Sequence, residues 1–541
     1  MIRLISRWIF LFAALNSFQS MGQNFLIHLN QSKYISGDEI YYNVYPQHAI
    51  ATDSSIIFVE LYSPNSVLVM QQIHALSGAS ISGVFSLPYN VSEGTYTFIS
   101  YSVFDDKTRD SSIILSSFTY VPIYNEVNEA PDIIKANEWK SFPSNAIKSE
   151  NKIITTFKPK IKKQIELSIN DQIKSGSNGV YSVTINKFYE EENKEPLRNN
   201  QEIILSKNFI SRKKLTLEGI ITNPENHQLV NEKYLSLYFP SNGSFQRIDA
   251  FNGQLKVELP SYTGIKKFQI LSLNPNQRSP MEWKPKSYSD KFKSIILGAP
   301  AIRRSDEDHF MLMQHTKKRL VDDLFQTDHT KTEAIDDTIK SYDSDKTYKI
   351  SDFQDIKSLE EFIKEVLVDC NITSAINDIK SLRLRNKDSR DLYRWPAWYL
   401  LDGYFRGDED IILNYDISKI KTIDLFQRKK TIESQFDQMM AYSGIFSITT
   451  YLQDQLPEQV YHVNGFYPPN AASSHSDLMN PEIPNLNTNP LWISGSKADQ
   501  QGFLHIPFNS GDLVGKYQIE VKGLNNKNQF SNATYYLEIK N

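Results

Sequence analysis

The chain has 541 residues, far more than the ~100–200 of one domain, so its length predicts roughly three to five domains. Lys and Arg number 59 against 63 Asp and Glu, and the resulting net charge of −4 excludes the basic surface that nucleic-acid binding requires. A single cysteine, Cys370, excludes an internal disulfide and a paired-cysteine zinc site. We expect its thiol to be buried and inert.

The first 23 residues have the layout of a secretory signal peptide. Arg3 and Arg7 give a positive start, an apolar stretch follows over residues 8–15, and small polar residues lead to Gln23. The apolar stretch is too short to span a bilayer, and no later one reaches ~18 residues. No cysteine stands at the expected mature N-terminus, so we expect neither a lipid anchor nor a membrane span. The sequence therefore predicts export to the periplasm.

Strand patterns recur through most of the chain. Residues 56–62 are rich in β-formers, and residues 95–101 alternate, which predicts one buried and one exposed face. Comparable segments recur at 180–185 and 254–259, bounded by turn residues. These patterns predict antiparallel β-sandwiches over residues 24–125, 126–205, 206–300 and 456–541.

The pattern changes between residues 301 and 455. Residues 301–349 are rich in charge and predict a linker with one helix over 309–325. Residues 350–455 open with a capping box, Ser358 and Glu361, and continue with short strand patterns. This segment predicts a small α+β domain, so the predicted fold class is mainly β, with serial sandwiches and one α+β domain.

Several segments resemble known families. Residues 30–40, Asn-Gln-Ser-Lys-Tyr-Ile-Ser-Gly-Asp-Glu-Ile, resemble the opening of a macroglobulin-type domain, and residues 93–98 resemble a later strand of it. The 206–300 sandwich is similar to carboxypeptidase-regulatory-like domains. The order of the segments resembles exported Bacteroidetes-type proteins that combine these domains with a plug-like one.

The plug-like resemblance lies within residues 350–455. Residues 395–403, which end in Asp-Gly, and residues 417–424 and 444–450 resemble strands of the plug domain of TonB-dependent outer-membrane receptors. Residues 358–367 correspond to the first plug helix. Such receptors follow the plug with a 22-stranded barrel of several hundred residues, whereas few residues follow Tyr451 here. We therefore expect a plug-like domain without its own barrel.

The loop after the Asp-Gly pair is the candidate partner contact. Its residues are Asp402, Gly403, Tyr404, Phe405 and Arg406. The structural alternative is that Asp-Gly only makes a turn, because glycine adopts positive φ freely. Trp398 and Leu400 alternate with Tyr399 and Leu401, which predicts side chains on two packed sides of a sheet rather than a sugar- or protein-stacking surface.

No motif for catalysis, for a cofactor or for a metal is present. The sequence has no Gly-x-Ser-x-Gly, His-Glu-x-x-His or Walker-type phosphate-binding motif. Acid clusters, at 306–308 and 408–410, and the loop at 343–346 are interpreted as solvated loops rather than carboxylate pairs or calcium sites. We expect a protein that is not an enzyme.

The resemblances imply a non-enzymatic envelope protein. The main hypothesis is a periplasmic plug- or adaptor-like partner of an outer-membrane β-barrel in transport, secretion or assembly machinery, such as the plug of a type IX secretion translocon. The alternative is a macroglobulin-like defence or adhesion protein that binds proteases or glycans without a thioester, because Cys370 lies outside a Cys-Gly-Glu-Gln sequence. A protease-sensitive bait within 301–349 would favour the alternative. An undetected hydrolase is a third possibility.

Overall fold

The computed structural model describes most of the chain. The described residues are 24–46, 55–106, 112–125, 153–154, 164–170, 179–188, 209–274, 280–302, 304–325, 339–353, 355–374, 380–407, 409–452, 457, 459–468, 474–475, 484–499, 503–524 and 530–540. The predicted signal peptide lies outside them.

Strands dominate the structure, so the predicted mainly β fold class is confirmed. The first strands are β1 (Phe25–Leu29), β2 (Tyr34–Ile35), β3 (Glu39–Pro46), β4 (Ile56–Tyr62), β5 (Leu68–Ala75), β6 (Ile81–Ser86), β7 (Gly94–Asp106), β8 (Ser112–Tyr124), β9 (Ile153–Ile154), β10 (Gln164–Asn170), β11 (Val180–Lys187) and β12 (Phe209–Ser211). Those of the middle region are β13 (Thr216–Thr222), β14 (Glu232–Phe239), β15 (Ser244–Ala250), β16 (Gln254–Glu258), β17 (Ile265–Ser272), β18 (Glu282–Pro285), β19 (Lys346–Lys349), β20 (Cys370–Ser374), β21 (Lys380–Leu384), β22 (Trp398–Leu401), β23 (Tyr404–Arg406), β24 (Ile420–Phe426), β25 (Ile445–Thr450) and β26 (Tyr461–Asn464). The last are β27 (Ser474–His475), β28 (Leu491–Lys497), β29 (Phe503–Asn509), β30 (Gly515–Leu524) and β31 (Phe530–Ile539).

The helices are fewer than the strands. The described α-helices are α1 (Ser289–Leu297), α2 (Asp306–Phe325), α3 (Leu359–Glu365), α4 (Glu409–Leu413) and α5 (Lys429–Gln435). The chain divides into two compact units. Unit 1 comprises Met1–Lys213, Tyr288–Thr332 and Phe466–Asn541, and unit 2 comprises Lys214–Ser287 and Glu333–Gly465.

The first sandwich of unit 1 corresponds to the predicted domain over residues 24–125. One sheet has the order β1-β3-β6, and the other has the order β2-β8-β7-β4-β5, with β12 added to β7. Tyr42, Phe85 and Phe98 lie in the core between them, because alternate residues of each strand point to the same side.

The second face of β7 is buried as well, so the predicted exposed face is wrong. Phe292 and Ile296 of α1 pack against Ile99 and Tyr101 of that strand. The rings of Phe292 and Tyr101 lie 5.3 Å apart. Alternation shows that side chains point both ways, but it carries no information about a helix that arrives from a distant segment.

The remaining strands of unit 1 form one sheet system rather than two. β11 lies between β28 and β30 in a sheet of order β27-β28-β11-β30-β31-β9, and β10 pairs with β29. The sequence predicts separate sandwiches over 126–205 and 456–541, and this prediction is corrected: their strands pair with each other. Local patterns identify strands, whereas the choice of partner depends on contacts between distant segments.

The predicted linker over 301–349 is largely ordered. Its predicted helix is confirmed and begins slightly earlier, as α2. Leu312 of α2 packs against Ile35 and Tyr124 of the first sandwich, and the Arg304 guanidinium forms a two-point ion pair with Glu93. The described residues 304–325 are therefore part of unit 1 and do not form a free connection.

Unit 2 opens with a smaller sandwich. Its sheets have the orders β16-β13-β18 and β15-β14-β17-β26, so the last strand comes from beyond the α+β segment. The predicted sandwich over 206–300 is therefore shorter at both ends, since β12 and α1 belong to unit 1.

The α+β segment forms a five-stranded sheet of order β19-β24-β25-β22-β23, and β20 and β21 form a separate hairpin. β22 and β25 are parallel, and β24 and β25 are antiparallel. The predicted capping box is present in a shifted form. The Ser358 hydroxyl accepts from the Glu361 N–H at 3.1 Å, but the Glu361 carboxylate accepts from the N–H of Lys357, one residue before the N-cap, at 2.8 Å. The sheet starts earlier than predicted, because β19 precedes residue 350.

Candidate functional site

The Asp-Gly pair forms the turn between β22 and β23. Leu401 pairs with Tyr404, which leaves a two-residue loop, and Asp402 and Gly403 have φ of 48° and 80°. Positive φ at both positions is the signature of a type I′ turn, for which Asp-Gly is a preferred sequence. A Cβ on Gly403 would collide with Ile339. The turn interpretation of Asp-Gly is thus confirmed.

The Asp402 carboxylate links the ends of the parallel strands β22 and β25 through hydrogen bonds. It is 5% exposed and accepts hydrogen bonds from the N–H and the hydroxyl of Thr450, each at 2.7 Å. The Asp402 N–H donates to the Ile448 carbonyl at 2.9 Å. Because β22 and β25 run in the same direction, Asp402 and Thr450 both lie at the carboxyl-terminal end of the sheet.

The rest of the predicted contact loop points inward. Phe405 is fully buried, and its N–H and C=O are both bonded to the side-chain amide of Gln269, at 2.8 and 3.0 Å. Tyr404 is buried and Arg406 is half-buried. Burial lowers the pKa of Arg406, and the nearby carboxylate of Asp402 opposes this shift. None of the five predicted contact residues has a fully exposed side chain.

The same end of the sheet carries exposed apolar side chains that the sequence interpretation missed. Tyr451 and Leu452 directly follow β25 and are 58% and 75% exposed. The Tyr451 N–H donates to the Lys419 carbonyl at 3.1 Å, which fixes the backbone there. Lys419 and its neighbour Ser418 are exposed. We call Ser418, Lys419, Tyr451 and Leu452 the sheet-end surface. The sequence did contain a signal for this surface, namely the two adjacent apolar residues Tyr451 and Leu452 at the end of a strand with an alternating pattern.

The strand that precedes the turn has side chains in two cores, as the sequence predicts. Trp398 and Leu400 belong to the core that also contains Phe405, and Tyr399 and Leu401 belong to the core on the other side of the sheet. Both faces of the sheet at β22 are therefore covered. The packed-sheet interpretation is confirmed for these four residues, and the alternative of a stacking surface is excluded for them.

A serine, a histidine and a glutamate lie close together in unit 1. Nδ1 of His28 is 2.5 Å from the Ser182 hydroxyl, and Nε2 is 3.8 Å from the Glu520 carboxylate. His28 and Ser182 are fully buried, and the same hydroxyl also accepts from Tyr45 at 3.0 Å. A nucleophilic serine needs an accessible hydroxyl beside its base, so this geometry supports packing and not hydrolysis.

Two of the acidic residues interpreted as parts of solvated loops, Asp345 and Asp308, have side chains that are only 2% exposed and are bonded to other groups, so that interpretation is wrong for them. Asp345 is buried and accepts from the N–H groups of Gln427 and Arg428, at 2.6 and 2.8 Å, just before α5. Asp308 is buried and accepts from Lys33 at 2.6 Å. Burial opposes ionisation of Asp308, but the bonds from Lys33 and from the preceding serine outweigh it and lower its pKa.

The remaining chemical candidates are equally unreactive. Burial raises the pKa of the half-buried Cys370 thiol, in agreement with the predicted inert cysteine. Within the described ranges, no three His, Cys, Asp or Glu residues are grouped as a metal site would require.

None of the helices in the described part of the chain combines the length and apolar character that a bilayer span needs.

Comparison with known proteins leaves the family open. No family model matches the sequence, and no curated protein matches it either. Solved structures that match include native Escherichia coli alpha-2-macroglobulin, at 8% identity with a TM-score of 0.25, and methylamine-reacted Salmonella alpha-2-macroglobulin, at 8% identity with a TM-score of 0.24. Each match covers 96% of this chain but only 40% and 39% of the other.

A third match is a putative membrane-anchored protein from Corynebacterium diphtheriae, at 10% identity with a TM-score of 0.15, which covers 49% of this chain and 57% of the other. The chain spans about two fifths of the macroglobulin structures that it matches. Scores this low establish no common arrangement of domains and no function. The macroglobulin-type, regulatory-like and plug-like resemblances therefore stay predictions from the sequence.

Proposed function

We propose that this chain is a non-catalytic binding protein of the cell envelope, which is exported to the periplasm and recognises an outer-membrane β-barrel protein through unit 2. The sheet-end surface is the proposed contact. The observation that carries the proposal is the pair of exposed apolar side chains, Tyr451 and Leu452, on a backbone that is held in place.

The sheet-end surface has the properties of a small protein-binding spot. Burying a side chain such as Leu452 against a partner would contribute about 1.5–3 kcal/mol. Tyrosine is enriched among the residues that dominate binding energy, because its ring is large and loses little conformational freedom. The two bonds between Asp402 and Thr450 brace the strand end from which both side chains project, so little ordering is needed on binding.

The class of partner follows from the sequence resemblance and from the order of elements. The helix α3, the strand β22 with its Asp-Gly end, and the strands β24 and β25 follow the order that the plug-like resemblance leads us to expect. A plug-like domain without a barrel needs a barrel from another chain. Because a fold alone does not determine a function, this step depends on the experiment below.

The alternative function, a macroglobulin-like binder of proteases or glycans, has a specific requirement. It expects a protease-sensitive bait within residues 301–349. Arg304 is paired with Glu93, and Asp308 of α2 is paired with Lys33, so the described part of that range through residue 325 is poorly suited to be a bait. Residues 326–338 lie outside the described ranges, and a bait there would support the alternative.

Co-purification from native envelopes tests the proposal. The wild-type protein is compared with the double variant Tyr451→Asp and Leu452→Asp and with Val368→Asp. Val368 is 73% exposed in the same unit and serves as the matched control. We expect a stoichiometric outer-membrane barrel protein with the wild type and the control, and its loss with the double variant. Recovery of the wild-type protein alone in the soluble periplasmic fraction would overturn the proposal.

A further inference from the structure

The outward side of α2, in unit 1, exposes a row of large apolar side chains. Phe310, Met313, Leu320 and Leu324 are 41%, 45%, 55% and 77% exposed. With position 317 they recur at intervals of three and four residues, so they form one stripe along the helix. An exposed apolar stripe of this length is unusual on a free surface and marks an interaction site or an aggregation hazard.

The opposite side of α2 packs against the first sandwich of unit 1. Leu312 packs into the first sandwich, Nε2 of His315 lies 2.9 Å from the Asp38 carboxylate, and Asp308 is paired with Lys33. These contacts set the rotation of α2 about its axis. The stripe therefore points away from the sandwich and is not a core face of it.

One cation lies in the middle of the stripe. Lys317 is exposed and occupies the helical position between Met313 and Leu320. Its neighbour Lys318 pairs with Asp322 at 3.2 Å, whereas Lys317 has no ion pair among the described residues. An apolar residue laid directly over Lys317 would remove water from this ammonium without supplying a partner for it, which opposes binding. A carboxylate opposite this position would form an ion pair with it instead, so charge complementarity favours an occupant with an anionic group at this point.

We propose that the outward side of α2 binds an amphipathic helix of another protein, with apolar residues at matching intervals and an Asp or Glu opposite Lys317. The length and regular spacing of the stripe fit the apolar face of a helix laid along it. The central charge selects among such helices, because a neutral or basic residue opposite Lys317 would leave a charge unpaired or repelled.

Two other occupants fit the charges less well. In a parallel or centred antiparallel pair of two copies of this chain, Lys317 would lie against its own equivalent, which like charges disfavour. A lipid surface attracts helices whose polar flanks are rich in Lys and Arg, whereas the flanks of this helix are mixed. Lys318 and Arg319 are accompanied by Asp306, Asp322 and Asp323, and Lys318 is already paired with Asp322. The partner-helix assignment accommodates both the apolar spacing and the single cation.

Binding of two synthetic helical peptides tests this assignment. Both carry Leu at the heptad a and d positions over about 20 residues, and they differ only in a central Glu or Lys. Their affinity for the full mature protein is measured by fluorescence anisotropy. We expect the Glu peptide to bind roughly tenfold more tightly than the Lys peptide. Lys317→Glu should reverse this order, and the double variant Leu320→Asp and Leu324→Asp should abolish binding of both peptides.

The controls separate this surface from the sheet-end surface and from the other occupants. Val368→Asp should bind the peptides as the wild type does, and so should the Tyr451 and Leu452 variants, since α2 belongs to unit 1. No peptide binding, equal affinity for both peptides, or an unchanged order in Lys317→Glu would overturn the assignment.

Two further results would also overturn it. One is a wild-type dimer in sedimentation that Leu320→Asp dissociates. The other is binding to phosphatidylcholine–phosphatidylglycerol vesicles that the same change abolishes. If the double variant loses its folded circular dichroism spectrum, the charge reversal at exposed Lys317 alone decides the test.

Discussion

The carboxylate of Asp402 accepts two hydrogen bonds from Thr450, one from its N–H and one from its hydroxyl, both at 2.7 Å. This contact joins the end of β22 to the end of β25, and the exposed Tyr451 follows immediately. The buried turn residue and the exposed surface are therefore mechanically linked. If the sheet-end surface binds a partner as proposed, Asp402 would contribute by holding Thr450, the neighbour of Tyr451, in place, although its own side chain is buried.

Removal of the Asp402 carboxylate should weaken unit 2. Asp402→Gly keeps the positive φ without strain but leaves the buried N–H of Thr450 unpaired, so we expect a loss of about 3 kcal/mol in the free energy of unfolding. Thr450→Val removes only the hydroxyl bond and should lose about 1 kcal/mol. Urea denaturation followed by tryptophan fluorescence measures both changes. An Asp402→Gly protein as stable as the wild type would contradict this role.

Gln269 should be critical for β23, the edge strand of the five-stranded sheet. Its side-chain amide is fully buried and satisfies both backbone groups of Phe405. Gln269→Leu has a similar volume but can neither donate nor accept, so we expect a loss of roughly 2–4 kcal/mol. Gln246→Leu is the matched control, because that half-exposed glutamine donates to a single carbonyl and should change stability by less than about 0.5 kcal/mol. Equal losses of unfolding free energy for the two variants would contradict the importance of the bonds between Gln269 and the Phe405 backbone.

The stability of unit 1 should depend on pH through Glu60. Burial raises the pKa of this carboxyl above its ordinary value of 4.5, although Tyr62, Gln71 and Tyr101 donate hydrogen bonds to it. A raised folded-state pKa means that stabilisation is complete below the unfolded pKa and is lost as pH rises through the folded pKa.

Comparison with the neutral variant Glu60→Gln isolates this effect. Relative to the variant, the wild-type protein should lose stability as pH rises above 4.5, and the difference should level off once the pH exceeds the raised pKa of Glu60. Urea denaturation at several pH values measures it. A difference that is constant with pH, or one that changes in the opposite direction, would show that the burial of Glu60 does not control its titration.

The Arg304–Glu93 pair should protect the segment that leads into α2. Both side chains are nearly buried, at 12% and 5% exposure, so Arg304→Gln leaves a buried carboxylate without its cation. We expect limited proteolysis to cut the variant within residues 304–325 and to spare the wild type there. Lys318→Gln, which breaks only an exposed pair with Asp322, is the control. Rapid cleavage of the wild type in this segment would favour the macroglobulin-like alternative.

Local features of the fold were predictable because they depend on neighbours in sequence. The capping box of Ser358 and Glu361 starts α3 as expected, and the alternation of residues 398–401 correctly assigns side chains to two cores. The partners of β11 were not predictable. They are β28 and β30, which lie hundreds of residues later in the chain, and a strand pattern carries no information about such pairing.

The candidate site likewise combines features that depend on neighbours in sequence with features that depend on distant segments. The turn at Asp402 and Gly403 follows from residue preferences at positive φ, which are local. The burial of Phe405 follows from Gln269 and from the aromatic side chains of a distant sandwich, which no local pattern reveals. The exposure of Tyr451 likewise depends on distant parts of the chain, because it requires that no other segment packs over this side chain. The sequence therefore predicted the Asp-Gly turn correctly but not the burial of Tyr404 and Phe405, and a partner contact at this end of the sheet stays a prediction.

Site-specific photo-crosslinking in native envelopes tests the central claim most directly. A photoreactive residue replaces Leu452 in one protein and Val368 in another, two positions with nearly equal exposure of 75% and 73%. We predict a crosslink from position 452 to an outer-membrane β-barrel protein and none to that protein from position 368. No crosslink from 452, equal crosslinks from both positions, or a soluble protein as the partner would contradict it.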